Sequence, residues 1–103
     1  MPVAVVQEWS GGGTSTENYD AIRERLRGGE PVRAMHVHAA GWDGDTFRIF
    51  EIWDTREDFD RFIQERLMPI LHELPDGNGT PPTTTSYELH DLVTPGDPAR
   101  VQQ

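Results

Sequence analysis

Residues 31–40 and 46–54 read as two strands joined by Gly41-Trp42-Asp43-Gly44-Asp45, and this hairpin lies between two helical stripes. No other feature constrains the fold as much. Asp-Gly between apolar stretches is a strong hairpin signal, because both central residues of a type I′ turn need positive φ. Upstream, Pro2 to Trp9 is rich in valine and bounded by Ser10-Gly11-Gly12-Gly13, a strand followed by a loop. Thr14 stands three residues before Glu17, the spacing of a capping box. Tyr19, Ile22 and Leu26 then mark one face of a helix that Gly28-Gly29 ends.

Downstream, Asp54 or Thr55 caps a second helix, with Glu57 or Asp58 three residues later. Its apolar stripe runs through Phe59, Phe62, Ile63, Leu67, Ile70, Leu71 and Leu74. Pro69 lacks a backbone donor and crowds the carbonyl of Glu65, so a kink or short break is expected near Met68. Pro75 to Pro82 is a loop, and Thr84 to Val93 the fourth strand. The order βαββαβ predicts an α+β domain, a ferredoxin-like antiparallel sheet with two helices on one face. It spans residues 1–93, and 94–103 form a loose C-terminal tail.

A chain of 103 residues without cysteine has neither disulfides nor thiolate metal ligands to stabilise a small core, which leaves packing and oligomerisation. Eighteen acidic residues against nine basic ones repel phosphate backbones and anionic membranes, so neither nucleic acid nor membrane is an expected partner. The N-terminus has no basic region and is soon interrupted by Gln7 and Glu8, unlike a secretory signal, and no apolar run would span a bilayer. A cytoplasmic protein is expected.

With Asp43-Gly44 as the turn, His38 faces Ile49, His36 faces Glu51 and Ala34 faces Trp53. Met35, Val37, Phe50 and Ile52 form the purely apolar face, expected beneath the helices. His36, His38, Ile49, Glu51, Trp53 and Phe47 are expected on an open face, packed against a second copy around a pocket. There His36 oriented by Glu51, or His38, would act as the general base. Trp53 gives a flat wall for a ring-shaped ligand. Tyr87 and Leu89 suit the core face, which leaves Glu88 and His90 on the pocket side, and Glu8 or Gln7 adds a group from the first strand. Two histidines at i and i+2 with a carboxylate are also a metal-binding pattern, although no metal site is expected. Arg66 either stays on the surface or reaches over the sheet edge, and Trp42 sits at the hairpin turn. The bland reading of His36-Val37-His38 is a solvated pair.

Val37-His38-Ala39-Ala40-Gly41, Glu51-Ile52-Trp53-Asp54, Glu65-Arg66-Leu67-Met68-Pro69 and His90 together resemble the antibiotic biosynthesis monooxygenase-like (ABM) group of the dimeric α+β barrel superfamily, over roughly residues 3 to 93. The resemblance implies a homodimer with a pocket between sheet and helices in each subunit. Members include cofactor-free oxygenases of aromatic polyketides, haem-degrading enzymes, and lactone isomerases or cyclases. The haem-degrading type has an asparagine on the first strand and a histidine early in the second helix. This chain offers Gln7, then Phe59, Phe62 and Ile63, and matches that type in Trp53 alone. The expected function is a cofactor-independent monooxygenase of a phenolic or enolisable small molecule. The alternatives are an isomerase or cyclase using the same base, or a non-catalytic binding module.

Overall fold

The computed structural model describes residues 1–11, 14–74 and 81–93. Strands β1 (Val3–Trp9), β2 (Met35–Asp43), β3 (Thr46–Trp53) and β4 (Thr83–Glu88) form one antiparallel sheet in the order β2-β3-β1-β4. Helix α1 (Thr16–Arg27) links β1 to β2. Helix α2 (Arg56–Phe62), a π-helical turn (Ile63–Leu67) and helix α3 (Met68–Glu73) make one helical run after β3. This is the ferredoxin-like α+β fold that the element order predicts. The tail expected at 94–103 lies outside the described residues, as does most of the expected loop after Leu74.

Local chemistry explains the helix ends. The cap of α1 is Ser15, not Thr14: its hydroxyl accepts from the Asn18 amide at 3.1 Å, so the helix begins one residue later than the capping-box reading has it. Gly28 ends α1 at φ −79°, without the left-handed conformation expected of it. Thr55 caps α2, accepting from the Asp58 amide at 3.0 Å, and its hydroxyl donates to the Asp58 carboxylate at 2.9 Å. The break expected near Met68 takes the form of the π-helical turn. Met68 N–H reaches back to the Ile63 carbonyl, which widens the helix ahead of Pro69 and relieves the crowding at Glu65.

The hairpin register differs from expectation. Asp43 pairs with Thr46, so the loop is Gly44-Asp45, and only Gly44 has positive φ, at 63°. A two-residue loop with glycine first is the type II′ pattern, in place of type I′. His38 therefore faces Glu51, and Ala40 faces Ile49. A β-bulge between Met35 and Val37 leaves His36 as the extra residue.

Met35 apart, which lies beneath the helices as expected, the two sheet faces are exchanged relative to the expectation. Trp53 is 1% exposed and packs against the helices, edge-on to Phe59 at 5.8 Å and tilted to Phe62 at 5.3 Å between ring centroids. Val3, Val5, Trp53 and Phe59 form the core, with Met35, Phe62 and Ile63 against it. The helices thus cover the mixed face of Phe47, Ile49, Glu51 and Trp53. Strand alternation puts Val6, Val37, Phe50, Ile52 and Tyr87 on the other side, where no helix of the described residues lies. Apolarity alone suggests the reverse. The mixed face can be buried because its polar groups bond one another, and among the described residues no buried side-chain nitrogen or oxygen lacks a partner. Tyr87, expected in the core, is 55% exposed.

Candidate functional site

A cavity of about 450 Å³ lies between the sheet and the helical layer, not on the open sheet face. Its walls are mostly apolar: Ile22 and Leu26 from α1, Phe47 and Ile49 from β3, and Phe62 and Leu67 from the helical run. Into it project a few polar groups, chiefly Tyr19, His38, Glu51, Gln7 and Arg23. An apolar enclosure with a few convergent polar groups is the usual form of a small-molecule site.

Three of those polar groups are bonded in series, with Trp53 at the end. Glu51 is 6% exposed, and its carboxylate meets His38 Nδ1 at 2.6 Å while accepting from Trp53 Nε1 at 3.0 Å. The other ring nitrogen of His38, Nε2, lies 2.5 Å from Tyr19 Oη. A carboxylate can only accept, so Nδ1 carries the proton and donates to Glu51. Nε2 is then the acceptor, and Tyr19 donates its O–H to it. The rings of Tyr19 and His38 stack at 6.0 Å with an interplanar angle of 11°. Phe47 closes the far side, edge-on to Tyr19 at 5.2 Å. Burial raises the pKa of the Tyr19 phenol above its ordinary 10.0, opposed by the nearby Arg23 charge and reinforced by Glu51 and Asp20. Tyr19 is therefore a neutral donor.

The expected site residues divide into two groups. His38, Glu51, Ile49 and Phe47 come together at the cavity, and Gln7 lines it too. Glu8 points to the opposite face and binds Arg48 Nε at 2.9 Å. His36, expected to pair with Glu51, is exposed on the bulge and contacts Asp54 Oδ1 at 2.5 Å. Trp53 is a core residue that supports Glu51, not a wall of the cavity. Glu88 ends β4 opposite Val3, exposed, and His90 is exposed beyond that strand; neither lines the cavity. Arg66 donates to the Glu30 carbonyl at 3.1 Å and lines a second, adjoining hollow. Trp42 bonds Thr16 Oγ1 at 3.1 Å and packs on Phe47 at 5.0 Å, tying the end of β2 to the start of α1. Among the described residues, no group of three or more His, Cys, Asp or Glu side chains is arranged to hold a metal ion.

Tyr19 and Arg23 are the residues that the sequence reading passed over as functional. Tyr19 was visible only as one apolar-stripe position of α1. It is also the one residue of the Tyr19, Ile22, Leu26 stripe that carries a hydroxyl.

No family model matches the sequence, and no curated protein matches it. Solved structures do resemble the fold. Rv0793 from Mycobacterium tuberculosis superposes with a TM-score of 0.63 at 15% identity, over 91% of this chain and 100% of that one. A candidate antibiotic biosynthesis monooxygenase from Deinococcus radiodurans superposes with a TM-score of 0.54 at 16% identity, over 91% and 97%. Among the described residues no helix is long and apolar enough to cross a membrane. The chain thus shares the ferredoxin-like α+β fold of these two structures, with its cavity between sheet and helices.

Proposed function

We propose that the protein is an enzyme that abstracts a proton from a phenolic or enolisable small molecule held in the cavity. The Tyr19–His38–Glu51 series carries this reading. Glu51 fixes the His38 ring and compensates the imidazolium that forms when Nε2 takes a proton. Tyr19 and His38 both line the cavity, and Oη is bonded to Nε2, so the hydroxyl can relay a proton to the ring. The substrate's proton passes to Oη as the tyrosine's own proton moves to Nε2, and no free phenolate need form, which suits the raised pKa of Tyr19.

The product is an enolate or phenolate in an apolar enclosure. If it is electron-rich, it reacts with dioxygen itself. A CH₂ group becomes C=O, one oxygen atom enters the product, and the other leaves as water with the two hydrogens. That balance needs no cofactor. Likeness in fold to a candidate antibiotic biosynthesis monooxygenase supports this oxygenase reading. Return of the proton to a different carbon would instead make an isomerase, and attack of the carbanion on a carbonyl carbon of the same molecule, with the proton delivered to the resulting alkoxide, a cyclase. An oxygen electrode with 2-tetralone, a bicyclic enolisable ketone, separates the two. Uptake of oxygen dependent on His38 is the oxygenase result, and exchange or isomerisation without uptake overturns it.

The working unit is a homodimer in this reading. Val6, Val37, Phe50 and Tyr87 are incompletely buried on a largely apolar sheet face that no helix among the described residues covers, and a second copy packed by its own such face would bury them.

A further inference from the structure

We propose that the substrate of this cavity carries an anionic group, a carboxylate or a comparably acidic oxygen, and that Arg23 receives it. The inference rests on the enzymatic reading above and adds the substrate class. A second hollow of about 290 Å³ adjoins the first, with Arg23, Leu26, Met35 and Phe62 lining both. Arg27 and Arg66 also line it, so three of the nine arginines of a chain with net charge −9 gather at one end of an apolar cavity.

Their bonding differs. Arg27 is paired with Glu24 at 3.0 Å, and Arg66 donates to the Glu30 carbonyl. Gly29 leaves room for Arg66: a β-carbon there would collide with its guanidinium. Arg23 has no hydrogen bond or ion pair with any described residue, although its charge is felt at Tyr19. It shares the Tyr19, Ile22, Leu26 face of α1 and is only partly exposed. A guanidinium on an apolar wall loses hydration and gains most from an acceptor with two oxygens, which its planar fork matches. Tyr19 and Arg23 are one helical turn apart, roughly 6 Å of axial rise. The anionic group would thus sit about one ring's width from the carbon or oxygen that gives up its proton.

The test is a calorimetric titration of the full chain with 2-naphthylacetate and, separately, its uncharged amide. The parent should bind the acid at least about tenfold more tightly than the amide, as a charge-assisted bond implies. Arg23→Gln should bind both alike, and Arg23→Lys should keep part of the preference. Arg23→Lys keeps the test valid if the glutamine variant does not fold, since a lysine variant with no preference left also overturns the proposal. A parent that binds the two equally or binds neither, or an Arg23→Gln variant that keeps the preference, overturns it as well. This preference needs no catalysis. Its loss with His38-dependent exchange intact rejects the substrate class and spares the base, and the opposite result rejects the base and spares the substrate class.

Discussion

Tyr19 on α1 and His38 on β2 meet through Oη and Nε2 at 2.5 Å, nineteen residues apart in sequence, with their rings stacked. This contact joins the helical layer to the sheet at the cavity wall. Tyr19→Phe keeps the ring and removes the hydroxyl, which leaves Nε2 without its donor. We predict a loss of about 1 kcal/mol in denaturant unfolding. Proton abstraction should fall by roughly a hundredfold if the hydroxyl relays the proton. A variant as fast as the parent would mean that substrate reaches Nε2 directly.

The same tyrosine predicts a pH dependence. Its folded pKa is raised above the ordinary 10.0, chiefly by burial. The folded state therefore holds this proton more tightly than the unfolded chain does. Its contribution is fully present below about pH 10 and is lost as pH climbs through the folded pKa. Stability measured by urea unfolding should fall above pH 10 more steeply in the parent than in Tyr19→Phe.

Trp53 is predicted to be structural. It is 1% exposed, packs against Phe59 and Phe62, and donates to Glu51. Trp53→Ala should cost about 3–5 kcal/mol of unfolding free energy. Near-parental stability with weakened ligand binding would return Trp53 to the ligand-wall role expected from sequence.

The sheet face opposite the helices is predicted to set the oligomeric state. Light scattering should give the mass of a dimer for the parent. Val37→Asp puts a charge on that face, away from the cavity, and should give a monomer with an unchanged circular dichroism spectrum. A monomeric parent would contradict the homodimer.

Element order, helix stripes and the Pro69 distortion were legible because each rests on local periodicity or on one residue's covalent limits. The pairing of His38 with Glu51 was not. The Asp43-Gly44 dipeptide favours a type I′ loop, whereas the chain uses Gly44-Asp45, and the bulge that sets His36 aside has no local signature. Strand parity did put His38, Ile49 and Glu51 on one face. Which face the helices cover was misread, because apolarity does not register that Glu51, His38, Tyr19 and Trp53 satisfy one another's hydrogen bonds. Arg23 looked like one charge among alternating charges, and only helical spacing places it on the Tyr19 face.

The most direct measurement follows deuterium entering the α-carbon of 2-tetralone by NMR in heavy water, with equal amounts of parent, His38→Gln and Glu51→Gln protein. His38→Gln should reduce the protein-dependent rate to background. Glu51→Gln, which keeps the shape but removes the charge that compensates the imidazolium, should reduce it by about 10²-fold or more. A His38→Gln protein that exchanges as fast as the parent would contradict the general-base role at the centre of the proposed mechanism.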